Sequence, residues 1–427
     1  MSLTINDKTL IPGIIVGLTC TINGFFINLG SLNLRINDIA FYILLVLWLL
    51  YSKPTRYFYN KNIYTGIAII AFMFIYMIAI RMYYYNTYPP IYQSFFIKYL
   101  INKLLWLPIY VAFYMIYGGK RFILGVLVGI AISSLLDSLL VIGEYISIIN
   151  GKEPDYSFIK SLGIAVEEKK LKVFNQGLIR PTGFMIDPNY TGAYAGIGTL
   201  FWDYAWQETK KRRYAIFAII SIIPMILLFS RTGLFSFILC FLLSIIMHFC
   251  RKNGLTYNIV APYIIIILVV TITILFLYVF AENENLMDNI IRRASMQDGS
   301  SMTRFDYVEY YFSNINIWEL LFGVGMAGSF LSPFFGIEEV LHPESSYISI
   351  LMEYGSLFFI AYIGLLYITF RKLVKNNFYF AIIFIYINLI GVSYNFLGDR
   401  LYYFLIICFL LYTFAPNPSR SLNLFKN

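Results

Sequence analysis

The chain has 427 residues, of which 59% are hydrophobic, 19% aromatic and only 13% charged, with a mean hydropathy of +0.71. That composition excludes a soluble globule and describes a polytopic membrane protein. The net charge of +9 does not point to a nucleic-acid partner, because the basic residues are spread over short connections between apolar runs, which is a topology signal.

Windows apolar enough to cross a bilayer number about twelve. In chain order the predicted spans are Ile11–Leu29, Ile36–Leu50, Ile63–Ile80, Ser94–Tyr117, Phe122–Ile149, Tyr190–Trp206, Tyr214–Phe229, Gly233–Phe249, Ile259–Phe280, Ser346–Phe370, Phe378–Phe396 and Leu401–Phe414. The first is expected to remain as a helix, since its basic flank is weak for a cleavable signal. The fourth carries Lys98 and Lys103, whose amines are expected to snorkel to the interface. Cys20, Cys240, Cys250 and Cys408 lie in or at the ends of apolar runs, with the spacing of neither a metal site nor a disulfide framework.

Every second connection is basic: Lys53, Arg56 and Lys61; Lys120 and Arg121; Lys210 to Arg213; Arg251 and Lys252; Arg371, Lys372 and Lys375. These connections are expected to be cytoplasmic, with both termini on the same side. The chain then divides into helices one to five (1–149), an outer loop (150–189), helices six to nine (190–280), a large outer cap (281–345), and helices ten to twelve with a cytoplasmic tail (346–427). Loops of such length inside a compact protein are functional or disordered, and the aromatic content of the second argues for function. Between Trp318 and Phe335 that loop is apolar but broken by Gly323, Gly325, Gly328 and Pro333, as a re-entrant or interfacial segment would be.

Four outward clusters carry candidate chemistry. In LIRPTGFMIDPNYTG, Asp187-Pro188-Asn189 reads as a helix cap, while Arg180 adds positive potential beside a helix start where backbone N–H groups already favour anions. Arg231, in LLFSRTGLF, sits halfway along roughly 37 apolar residues, a length that requires two passes and places it at a hairpin tip. Its bland reading is a snorkelling surface cation. Arg304, in TRFD, is the third, with an ion pair to Asp306 or Glu309 as its ordinary explanation. The fourth, LHPESSYISILMEYG, gathers His342, Glu344, Ser345, Ser346 and Tyr347 at a helix mouth, with Glu353 two turns inside. A serine cap explains part of it, but a histidine beside a carboxylate at a low-dielectric edge is also how a general base is built. Glu353 is a second candidate base, against the commoner role of a buried carboxylate in helix packing.

Arginines suit a di-anion, because the planar fork binds phosphate oxygens bidentately and stays charged. The sequence contains no DxD, HExxH or Gly-rich phosphate loop, so neither a metal ion nor a nucleotide cofactor is expected.

The ordered set Arg-Pro-Thr-Gly-Phe…Asp-Pro-Asn, Ser-Arg-Thr-Gly, a large outer loop with Arg304 and Gly323-Val-Gly325, then HPESSYISILMEYG resembles the O-antigen polymerase and O-antigen ligase superfamily over roughly residues 175–370. The resemblance implies a GT-C-like, all-α membrane glycosyltransferase that needs no metal. Its implied substrates are oligosaccharide and polysaccharide carried on undecaprenyl pyrophosphate, handled at the outer face of a bacterial inner membrane. A flippase and a chain-length regulator are the implied partners. By that resemblance Arg231 and Arg304 would hold the donor pyrophosphate with Arg180 in support. The residues themselves make Glu344 or His342 the candidate base, and Tyr307, Tyr310, Tyr311 and Tyr347 candidate stacking surfaces for sugar, against the commoner role of a tyrosine as interface anchor.

Ligases of the superfamily show His, then Asn, Ser or Gln, then nine residues, then Gly. Aligned on Gly355, this chain has Glu344 and Ser345 in the first two places and His342 two residues early, which favours polymerase over ligase. A transporter or flippase is the alternative from another class. Against it, ionisable residues at mid-membrane are few, Asp137 and Glu144 being the nearest, and no matching pair of interrupted helices marks two halves.

Overall fold

The computed structural model describes residues 10–29, 32–36, 39, 42, 46, 61–83, 106–117, 119–162, 164–166, 172–173, 179–228, 230–252, 312–313, 315–325, 345–393 and 400–414. They fall into two compact units, one of Met1–Ile75, Leu100–Phe237 and Leu365–Asn427, the other of Tyr76–Tyr99 and Ile238–Gly364.

The first unit is organised on a long helix. In chain order its helices are α1 (Leu10–Cys20), α2 (Lys61–Tyr83, up to residue 75), α3 (Trp106–Tyr117) and α4 (Lys120–Ile149). α1 crosses α4 at backbone contact, through Gly13 and Gly17 on one helix and Gly125 and Gly129 on the other. A Cβ on Gly13 would lie 3.0 Å from the Gly125 Cα, and one on Gly129 would lie 2.6 Å from the Leu18 nitrogen. Lipid gives helices no hydrophobic reason to associate, so small residues four apart, which let backbones touch, supply the packing energy.

After the one-turn α5 (Ser157–Ser161), α6 (Pro188–Thr209) and α7 (Arg212–Leu227) form a hairpin packed on α4, turning at Lys210 with φ 56°. Pro224 lies inside α7 and has no N–H, so the Ile220 carbonyl loses its helical donor. The Ser138 hydroxyl of α4 sits 3.0 Å from that oxygen and 2.8 Å from the Ser134 carbonyl, in position to donate to either. α8 (Arg231–Lys252) follows, then α9 (Ile317–Phe322), α10 (Ser346–Asn376), α11 (Phe378–Ser393) and α12 (Arg400–Phe414). In the first unit α12 packs on α3 and α11 on α6. Cations stand over aromatic rings at helix ends, Lys210 at 5.5 Å from Trp206 and Lys372 at 4.1 Å from Phe414, as interfacial anchors do.

The second unit contains the end of α2, most of α8, α9 and the first part of α10. α10 is interrupted at Gly355, whose φ of 79° and ψ of 171° are not helical. α9 opens with a capping box: Asn316 Oδ1 accepts from the Trp318 and Glu319 amides, each at 2.9 Å, and Glu319 accepts from the Asn316 amide at 3.0 Å.

α2, α4 and α10 are each long and apolar enough to cross a membrane. α2 leaves Phe72 70% and Ile75 64% exposed, an apolar surface suited to lipid. The expectation of a mostly helical membrane protein is met, with two differences. Ile11–Leu29 is not one helix: α1 stops at Cys20, and β1 (Phe25–Leu29) pairs antiparallel with β2 (Leu32–Arg35) and β3 (Ala165–Val166). β4 (Lys172–Val173) likewise pairs with β5 (Ile179–Arg180), so the chain is not all-α. Phe25 is why the segment leaves the helix, since its ring is buried between Tyr156 and Phe184 at 6.4 and 6.2 Å. The predicted spans Ile36–Leu50 and Ile259–Phe280, and most of 281–345, lie essentially outside the described residues.

Candidate functional site

Two places in the described structure hold the residues singled out from the sequence. The first lies where α6 and α8 begin. Asp187 caps α6, its Oδ1 accepting from the Asn189 amide at 2.9 Å with Pro188 in the first helical position, as expected. The preceding Thr182-Gly183-Phe184 is pinned onto α4 by two buried carboxylates. Glu144 Oε2 accepts from the Thr182 and Gly183 amides at 2.7 and 2.9 Å, and Asp137 Oδ1 accepts from the Phe184 amide at 2.6 Å. The Tyr156 hydroxyl donates to Glu144 Oε1 at 2.7 Å. Burial, followed by the charge and hydrogen bond of Glu144, pushes the Tyr156 phenol above its ordinary range. Gly183, at φ 63°, is held so close that a Cβ would stand 2.9 Å from Asp137 Oδ2.

The Thr191 hydroxyl, in the first turn of α6, donates to the Thr182 carbonyl. Its neighbour Gly192 packs against Ser230, the residue before α8. A Cβ on Gly192 would be 2.8 Å from the Ser230 Cβ, and one on Gly233 would be 2.9 Å from the Ser230 Oγ. The starts of α6 and α8 therefore adjoin, and with them the first two sequence clusters. Arg231 is the first residue of α8, which follows α7 in the sequence, and Arg180 ends β5, two residues before Thr182. Thr182 and Ser230 are 0% and 1% exposed, and neither hydroxyl has a hydrogen-bond partner among the described residues. A buried hydroxyl without a partner costs about 1–3 kcal/mol, and helix starts present N–H groups and positive potential to anions.

The second place is the interruption of α10. Breaking the helix at Gly355 frees carbonyl groups, and in lipid every such group must be met by protein. Val324 donates to the Met352 carbonyl at 2.9 Å and Gly325 to the Glu353 carbonyl at 2.8 Å. The Tyr76 hydroxyl sits 3.1 Å from the Tyr354 carbonyl and 3.2 Å from that of Phe322. Gly323, Gly325 and Gly355 all have positive φ, and a Cβ on Gly323 would crowd the Tyr354 nitrogen at 2.5 Å. The segment expected to be re-entrant thus begins with α9 and then braces the broken helix.

At the mouth of α10 the Ser345 hydroxyl accepts from the Ile348 amide at 3.4 Å, which fits a cap. Tyr347 packs its ring on Phe359 and Tyr362, at 6.3 and 6.4 Å. Glu353 is fully buried. Arg304, His342 and Glu344 lie outside the described residues.

The sequence reading missed the pinning role of Asp137 and Glu144. Two acids seven residues apart share one face of an otherwise apolar helix, and that spacing was the available signal. It also passed over Arg81, a cation at the end of an apolar run.

Apolar helices of spanning length, one of them broken and braced by a loop, define a membrane protein. Residues 215–363, roughly a third of the chain, match the family model Wzy_C, O-antigen ligase. The match takes in Ser230 to Gly233, Arg304, Gly323-Val324-Gly325 and the run from His342 to Gly355, so the later motifs behind the resemblance to the O-antigen polymerase and ligase superfamily fall within it. Arg180 and the Asp187 cap precede the matched stretch. No curated protein matches the chain. The findings support an enzyme of O-antigen polymerase or ligase type.

Proposed function

We propose that this protein is a polysaccharide polymerase: it transfers a growing glycan from undecaprenyl pyrophosphate onto an incoming lipid-linked repeat unit at the outer face of a bacterial inner membrane. The observation that carries this reading is the junction of α6 and α8, where Gly192 and Ser230 touch, two buried hydroxyls lack partners among the described residues and Arg231 opens a helix. Such a place is built for an anion that arrives with its own acceptor oxygens.

In the proposed step a hydroxyl oxygen of the acceptor sugar attacks the anomeric carbon of the donor. The bond from that carbon to the pyrophosphate oxygen breaks, and the acceptor proton passes to Glu344 or His342. Arg231 and Arg304, supported by Arg180, hold the negative charge that grows on the leaving pyrophosphate. Fixed cations aimed at developing charge are worth on the order of a hundredfold or more in rate. Direct displacement inverts the anomeric configuration. Both termini are assigned to the cytoplasm, from the basic connections.

The matched family's description favours a second reading, transfer of a finished glycan to a lipid-core acceptor by a ligase. The placing of Glu344 where ligases carry histidine favours the polymerase. Incubating the purified protein with lipid-linked repeat units, with and without a core-lipid acceptor, separates the two. A ladder formed from repeat units alone supports polymerisation, and one transfer that requires the core overturns it.

A further inference from the structure

The interruption at Gly355 leaves the first half of α10, Ser346 to Tyr354, with the carbonyls of its last turn to be met from outside the helix. Three consecutive ones have donors from other elements. The Val324 and Gly325 amides donate to Met352 and Glu353, and the Tyr354 carbonyl lies 3.1 Å from the Tyr76 hydroxyl. Of these three donors Tyr76 is the side chain, and it comes from the part of α2 that belongs to the second unit. The same hydroxyl lies 3.2 Å from the carbonyl of Phe322, the last residue of α9. Its ring stacks on Phe358, just past the break, with centroids 5.3 Å apart and planes 19° from parallel. Tyr76 therefore meets both sides of the interruption and the end of α9.

A phenol has one proton, so the hydroxyl donates to one of the two carbonyls at a time, and the ring stacked on Phe358 holds it within reach of both. The half-helix it meets is about 13 Å long, so a tilt of about 10° at the cut end would carry the mouth at Ser345 and Ser346 through about 2 Å. Glu344, a candidate base, directly precedes that mouth in the sequence. A displacement of about 1 Å is enough to cost on the order of a hundredfold in rate where reacting groups must be aligned. We propose that Tyr76 is a positioning residue of the transfer reaction: its hydroxyl ties the cut end of α10 to α2 and to the end of α9, and so sets the direction in which the first half of α10 presents its mouth. The catalytic half of this inference rests on the proposed function; the tie does not.

The test uses the full-length protein in detergent with Tyr76→Phe, which keeps the ring and removes only the hydroxyl, and with p-aminophenylalanine placed at position 76, which returns a donor at nearly the same reach. The first readout, amide hydrogen exchange, needs no substrate. Tyr76→Phe speeds exchange about tenfold from Ser346 to Tyr354 and at Val324 and Gly325, α4 stays as in the wild type, and the amino variant reverses the change. Unchanged exchange, or a rise spread equally over α4, overturns the tie. If Tyr76→Phe fails to accumulate, membrane accumulation of a fluorescent fusion takes the place of exchange: recovery with the amino group supports the tie, and no recovery overturns it.

The second readout is transfer of lipid-linked repeat units purified from host membranes, measured well below each variant's unfolding midpoint. Tyr76→Phe lowers kcat roughly tenfold to a hundredfold with KM little changed, and the amino variant restores most of it. An unchanged kcat, or an amino variant as poor as the phenylalanine, overturns the positioning role. A wild-type protein with no transfer at all overturns the proposed function instead, and exchange alone then decides the tie.

Discussion

Ser230 lies directly against Gly192, with no room for a side chain between them: a Cβ at 192 would stand 2.8 Å from the serine Cβ and 3.0 Å from its Oγ. Through that contact the Asp187 cap and the Ser-Arg-Thr-Gly turn, far apart in the chain, become neighbouring helix starts. Because the Ser230 hydroxyl is buried without a partner among the described residues, Ser230→Ala should leave the protein as stable or raise its unfolding midpoint while lowering transfer. Gly192→Val should keep neither property. Midpoints and polymer ladders measured on the same preparations check both outcomes.

Tyr156 and Glu144 make a prediction about pH. The phenol is raised in the folded state, first by burial and then by the Glu144 charge, so its contribution is complete below the unfolded value of about 10 and is lost as pH rises through the folded one. Tyr156→Phe should therefore cost about 1.5–3 kcal/mol, equally at pH 7 and pH 9. Chemical denaturation at the two pH values tests this. A cost that vanishes by pH 9 would mean that the phenol is not held protonated.

The crossing of α1 and α4 predicts intolerance to bulk. A Cβ on Gly17 would overlap the Val126 carbonyl oxygen, and the Ile130 nitrogen would be 2.9 Å away. Gly17→Leu should force the helices apart at a cost of about 1–3 kcal/mol or more, seen as reduced membrane accumulation. The same substitution at Gly143, which has nothing within 4 Å among the described residues, should be far milder and serves as the control.

Gly355 is predicted to be the least replaceable residue of the broken helix. Its φ of 79° is strained for any side chain, and a Cβ would press on the Gly323 nitrogen at 2.5 Å. Gly355→Ala should favour a continuous helix and displace the Gly323-Val324-Gly325 brace. Proteolysis of the loop after Phe322 should accelerate and transfer should fall together.

The helices were legible because spanning length and apolar character are one-dimensional properties. Lys61–Tyr83, Lys120–Ile149 and Arg400–Phe414 agree with the sequence reading to within a few residues. Ile11–Leu29 was misjudged because hydropathy does not distinguish a helix from an apolar strand, and Phe25 leaves the helix to meet Phe184 and Tyr156. The helix cap at Asp187 was legible from residue chemistry alone. Contacts between distant residues were not. Nothing in the sequence pairs Glu144 with the Thr182 amide, Gly192 with Ser230 or Arg81 with Gly325. Those depend on which helix faces meet, a three-dimensional property that periodicity leaves open.

The most direct test is reconstitution of the purified protein in vesicles with lipid-linked repeat units and a chelator of divalent ions. The account predicts a polymer ladder from the wild type, and unpolymerised units with Arg231→Ala or Arg304→Ala at equal protein level. A ladder that survives both substitutions, or wild-type transfer that stops with the chelator, would contradict it.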